Sequence, residues 1–145
     1  MTSLAADLDT IRESFGFFDS WEDKYRFVID LGKDLPSLPE QEKIEDNLIR
    51  GCQSQVWLVA DYDAGSRHLD LQIDSDAHIV RGLIAIVLAA YDHRSPEEIL
   101  EFDIESLFAE LQLLSHLSQT RGNGLRAMVA RVRAVAQEHA RAPGS

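Results

Sequence analysis

Apolar residues recur along this chain with two different periods, and the changes between them mark out its elements. Leu4, Leu8, Ile11 and Phe15 stand three or four apart, which predicts a first helix. Ser20-Trp21-Glu22-Asp23 has the form of a helix start, with Ser20 as N-cap and acids in the first turn. Behind it Trp21, Tyr25, Val28 and Ile29 fall on one face, and Gly32 with the Pro36/Pro39 pair is expected to stop the helix and open a loop.

The period then drops to two. Asn47 to Ile49 is short and apolar, Gly51 breaks it, and Gln55 to Tyr62 is rich in strand formers. Asp63-Ala64-Gly65-Ser66 is a turn signal, after which Leu69, Leu71 and Ile73 alternate with polar neighbours. This pattern predicts a hairpin with Asn47 to Ile49 as a third strand. Helical spacing returns at Asp76, where Asp74-Ser75-Asp76 reads as an N-cap cluster. Ile79, Val80, Leu83, Ile84, Val87 and Leu88 follow, a face broad enough for the most buried helix.

Ser95-Pro96 opens a short helix with Pro at its first position, and Asp103 caps another through Leu111. Leu125, Met128, Val129, Val132, Val135 and Ala136 form the stripe of a final helix, whose start Gly122 and Gly124 either loosen or open to another backbone. The sum is an α+β fold, a small antiparallel three-stranded sheet packed against helices. No repeat or linker divides it; residues 1–141 are expected to form one domain and 142–145 a disordered tail.

Composition narrows the function classes. A chain of 145 residues, 45% hydrophobic, buries about two-thirds of its unfolded surface without needing disulfides or metals. Twenty-five acids against 14 Lys plus Arg give a formal net charge of -11. Such a surface repels phosphate backbones and anionic membrane, but leaves a protein partner open. The first residues lack the basic-then-apolar order of a secretory leader, and the longest apolar run, Gly82 to Tyr91, is half a membrane span. With a single Cys there is no internal disulfide, and the expected compartment is the cytoplasm.

That cysteine, Cys52, is the leading candidate for chemistry. It lies in Arg50-Gly51-Cys52-Gln53-Ser54-Gln55, just before the strongest strand. Spacing alone leaves two readings, a small buried hydrophobe or a working thiol. Gly51 frees the backbone to turn, and the polar run after it marks a loop tip or strand end. Arg50 is placed either to stabilise a thiolate or to point away. A nucleophile of the usual kind needs a nearby His; none of His68, His78, His93, His116 or His139 stands in a recognisable protease or transferase context. His68 and His93 read as solvated. One Cys satisfies neither a structural zinc site nor an iron–sulfur cluster, and no His pair has i,i+4 spacing, so no metal site and no bound cofactor are expected.

Gly51-Cys52-Gln53-Ser54-Gln55-Val56-Trp57 resembles the cysteine motif of the SufE family, sulfur acceptors that work with cysteine desulfurases. Three further blocks resemble the family in the same order. These are Trp21 to Tyr25 with Leu31-Gly32 and Leu35-Pro36, then Asp74 to Ala77 with Ile79 to Leu83, and last Leu114 to Leu117 with Arg121 and Gly124-Leu125. The resemblance implies a fold like that of the IscU cluster scaffolds. It implies that Cys52 takes persulfide sulfur from a SufS- or CsdA-like desulfurase, speeds that enzyme and passes sulfur on towards iron–sulfur cluster assembly. The chain would then be a carrier rather than a free-standing enzyme, with pyridoxal phosphate residing on the partner. Gly51, Gln53, Asp76 and Arg121 match positions near the cysteine loop and partner surface, and are carried over as contact candidates. Cluster scaffolds of the related fold use several cysteines; one cysteine leaves transfer. The alternative is a non-catalytic regulator that docks on an enzyme with Cys52 buried and structural.

Overall fold

A computed structural model describes residues 7–50 and 54–140. Two helices come first, α1 (Leu8–Phe17) and α2 (Trp21–Lys33). Each starts on a side-chain cap: Asp7 accepts from the Thr10 N–H and Ser20 from the Asp23 N–H. Leu4, assigned above to the first helix, lies outside the described residues. A loop with two 3-10 turns, Glu40–Glu42 and Glu45–Asn47, leads to the antiparallel hairpin of β1 (Val56–Asp63) and β2 (His68–Ser75). Five helices follow: α3 (His78–Tyr91), α4 (Pro96–Glu101), α5 (Ile104–Leu111), α6 (Leu113–His116) and α7 (Gln119–Ala140).

The fold is thus mixed α and β, but the sheet among the described residues has two strands, not three. The 3-10 turn takes up Glu45 to Asn47, so the expected third strand shrinks to one bridge, Leu48 to Trp57, and one hydrogen bond, Ile49 N–H to the Val56 carbonyl at 2.8 Å. Register in the hairpin runs from Asp63 opposite His68 to Val56 opposite Ser75. Asp63 sets the turn by accepting from the Gly65 N–H and the Ser66 hydroxyl, and Arg67, at φ 62°, closes it.

The core lies between the hairpin and the helices. Leu69, Leu71 and Ile73 of β2 turn one face inward, as period two requires, and α3 packs on that strand. Helix α3 is the most buried helix, as its broad apolar face predicts, with Leu83, Ile84, Ile86, Val87, Ala90 and Tyr91 all but sealed from solvent. Along its other side it meets α2 backbone to backbone. A Cβ on Gly32 would stand 2.6 Å from the Gly82 amide nitrogen, and one on Gly82 2.0 Å from the Val28 carbonyl oxygen. Gly32 therefore does not stop α2, which runs on to Lys33; it is the point where α3 crosses.

The C-terminal helices close the other side. Ser95 and Glu98 form a reciprocal capping box on α4, and Asp103 caps α5 through the Ser106 amide and hydroxyl. Helix α5 ends at Leu111, as expected, because Gln112 takes the left-handed conformation at φ 57°. Helix α7 lies against α4 and α3. Gly122 and Gly124 sit in the first two turns of α7, and a Cβ on Gly122 would touch the Leu114 side chain at 3.4 Å.

Candidate functional site

Gly51, Cys52 and Gln53 lie outside the described residues, so the site is built here from what holds the chain on either side of them. The chain leaves at Ile49 and returns at Val56, and those two residues share the 2.8 Å backbone hydrogen bond named above. Both ends of the cysteine segment are therefore anchored at one place, the start of β1. Arg50 points to Glu45, 3.3 Å away, in an exposed ion pair.

The exit of the segment is held by Asp76. Its Oδ1 accepts from the Gln55 N–H at 3.1 Å, and its own N–H meets the Gln55 carbonyl at 3.4 Å. Asp76 was expected to cap α3, and it does not. The helix begins two residues later, Ala77 occupies the cap position without a side-chain bond, and Ser75 Oγ receives the Ala77 N–H at 3.2 Å. The acid is spent on the neighbouring chain instead. It remains exposed.

Arg121, half-buried in the first turn of α7, is brought to the same end of the molecule. Together with Ser54 it lines a cavity of about 20 Å³ walled by Val56, Val80, Leu83, Leu125 and Met128. The cavity lies between the start of β1, α3 and α7. Of the five residues singled out from the sequence, Asp76 bonds Gln55 at the exit of the cysteine segment, and Arg121 lines the cavity beside Ser54.

Asp74, read above as part of an N-cap cluster, and Arg81 frame this end instead. Asp74 is 1% exposed and accepts from the Leu38 N–H at 2.9 Å, from the Ser75 N–H at 2.8 Å and from Arg81. Arg81 also donates to the Gly32 and Leu35 carbonyls. The pair ties the end of α2 and its loop to the end of β2. Lys43 adds a cation 3.8 Å from Asp74 and stands over the Trp57 ring. The only sequence trace of this arrangement is a charged residue inside the otherwise apolar start of α3.

Three of the histidines are engaged away from the cysteine segment. His116 stacks on Trp21, His139 stacks on Tyr62, and His93 pairs with Asp70. Among the described residues no helix is long and apolar enough to cross a membrane.

The sequence model of the SufE family, described as an Fe-S metabolism associated domain, matches residues 9–136. The chain belongs to the SufE family. It is 48% identical over 139 residues to an uncharacterized SufE-like protein of Rhizobium meliloti (strain 1021), a match covering 94% of this chain and 96% of that one. A second uncharacterized SufE-like protein, from Rhizobium etli, is 47% identical over 139 residues, with 94% of each chain covered. A hypothetical protein from Thermus thermophilus, solved in solution, superposes with a TM-score of 0.73 at 19% identity, over 93% of this chain and 96% of that one. That likeness shows the fold. Membership of the family places the chain in iron–sulfur metabolism, as the motif reading expected.

Proposed function

We propose that this protein is a sulfur carrier. Cys52 takes sulfur from the persulfide of a pyridoxal-phosphate cysteine desulfurase, stimulates that enzyme, and passes the sulfur on to iron–sulfur cluster assembly in the cytoplasm. In the transfer step the Cys52 thiolate attacks the outer sulfur of the donor persulfide. One S–S bond forms on Cys52 while the donor's S–S bond breaks, and the donor cysteine leaves as thiolate. No external oxidant or reductant is consumed. A lone cysteine suits this step, since no second thiol in the chain can displace the sulfur as sulfide by closing a disulfide.

The observation that carries the reading is the mooring of the cysteine segment. Its two ends converge on one backbone hydrogen bond, its exit is held by one exposed carboxylate, and a small apolar cavity opens beside Ser54. We further propose that the thiol is shielded from oxidants between encounters and is presented only at the partner. Gly51, Gln53, Asp76 and Arg121 are the contacts through which the partner acts.

Incubation with an active desulfurase, pyridoxal phosphate and free cysteine, followed by intact-mass analysis, tests this. The expected result is a reducible gain of sulfur confined to Cys52 and absent in Cys52→Ser. If Cys52→Ser instead stimulates desulfurase turnover fully, the protein is a docking regulator with a structural cysteine. Equal alkylation rates of Cys52 with and without the desulfurase would refute the shielding.

A further inference from the structure

At the far end of β2 from the cysteine segment, the fold assembles two carboxylates and an imidazole. Asp70 comes from β2; Asp92 and His93 come from the end of α3, 22 and 23 residues later. One donor atom from each lies within 4.8 Å of the other two. The backbone fixes them before any ligand arrives. The His93 N–H bonds the Leu69 carbonyl at 2.9 Å, and the Leu69 N–H bonds the Arg94 carbonyl at 2.8 Å. Asp92 uses Oδ1 to accept from the Leu71 and His93 N–H groups, at 2.8 and 3.0 Å, which leaves Oδ2 turned towards the ring.

The charges in this cluster do not balance. Nδ1 of His93 is 2.7 Å from Asp70 Oδ1, and Nε2 is 3.4 Å from Asp92 Oδ2. A neutral imidazole has one N–H, so one of the two carboxylates would face a bare nitrogen lone pair. Among the described residues no Lys or Arg lies within ion-pair distance of Asp70 or Asp92. A divalent ion seated among the three donor atoms would supply the positive charge that no Lys or Arg supplies here. The surroundings favour an ion. All three residues line a groove of about 650 Å³ whose lining also includes Leu31, Leu71, Leu88 and Ala89, two more carboxylates, Asp7 and Asp34, and no Lys or Arg. Open coordination positions would therefore face a space with room for water or a ligand atom.

We propose that Asp70, Asp92 and His93 bind a divalent transition cation of the zinc class. An imidazole nitrogen with two carboxylate oxygens suits such an ion, whereas Mg²⁺ and Ca²⁺ favour all-oxygen shells. The sequence hid the site, because its ligands are neither cysteines nor a histidine pair on one helix face. The site is independent of the sulfur chemistry proposed for Cys52.

The test uses the full chain without an affinity tag, carrying Cys52→Ser so that no thiol competes. Titration with Co²⁺, followed by its visible absorption, and with Zn²⁺, followed by calorimetry, is expected to show one equivalent bound per chain. His93→Gln and Asp70→Asn should each weaken that binding by at least about tenfold, since even the loss of a partner behind a metal ligand costs 10–100-fold. Circular dichroism should show both variants folded. No saturable binding, or binding that survives both substitutions, would overturn the site. Mg²⁺ bound as tightly as Zn²⁺ would overturn the assignment of metal class.

Discussion

Asp74 and Asp76 stand two residues apart, point to different parts of the molecule, and show how one stretch of chain can be both frame and latch. Asp74 is buried and has bonds to the Leu38 and Ser75 amides and to Arg81, each of which holds an element of the fold in place. Asp76 is exposed, and its side-chain bond goes to Gln55, three residues beyond Cys52. Burial sets the difference in strength. A charge pair removed from water cannot lose one partner without leaving the other uncompensated, while an exposed acceptor is readily replaced by water. The release proposed above would break only the second kind of bond and leave the first intact.

Breaking the frame should have the largest effect. Asp74→Ala strands Arg81 against two carbonyls, and the expected loss is about 3–5 kcal/mol of stability, read by denaturant unfolding. Gly82→Ala drives a methyl into the Val28 carbonyl and should cost about 3 kcal/mol, the upper end for overpacking, by parting α2 from α3. Asp76→Ala should cost only about 0.5–1.5 kcal/mol, the worth of one hydrogen bond, yet raise the alkylation rate of Cys52 in the free protein. If the two aspartates destabilise equally, or if Asp76→Ala leaves alkylation unchanged, the distinction between frame and latch is lost.

The smallest effect concerns acids that do neither. Hydrogen bonds from the Ser106 side chain and amide hold the Asp103 carboxyl below its ordinary range, and the Thr10 amide does the same for Asp7. Because these folded-state values are lowered, their contribution is complete above the unfolded-state value, near pH 4, and is lost as pH falls through the lowered one. Asp103→Asn should therefore flatten the acid limb of the stability curve slightly and leave the neutral region alone, as a pH series of thermal melts would show.

How much of this was legible in the residues depended on whether a feature is local. Helix starts at Ser20, Ser95 and Asp103 were readable because a cap needs only a side chain and an amide three residues on. The hairpin and the buried face of α3 followed from period alone. Asp76 was misjudged because an acid before a helix looks the same in sequence whether it caps that helix or reaches across to Gln55, 21 residues away. Gly32 was misjudged for a related reason. A glycine near a helix end suggests a stop, and only the approach of Gly82, 50 positions later, reveals a crossing. The third strand failed on a local competition, since a 3-10 turn closed over Glu45 to Asn47 before pairing could extend. Arg121 entered by family resemblance, and its place beside Ser54 depends on how α7 folds back over β1.

The crossing of α2 and α3 at two glycines has a consequence for motion. With no side chain between them there, the helices have no soft layer in which to slip, so they should open and close as one cooperative unit. Amide hydrogens on the two facing stretches would then exchange with solvent in concert, and more slowly than those around Gln55.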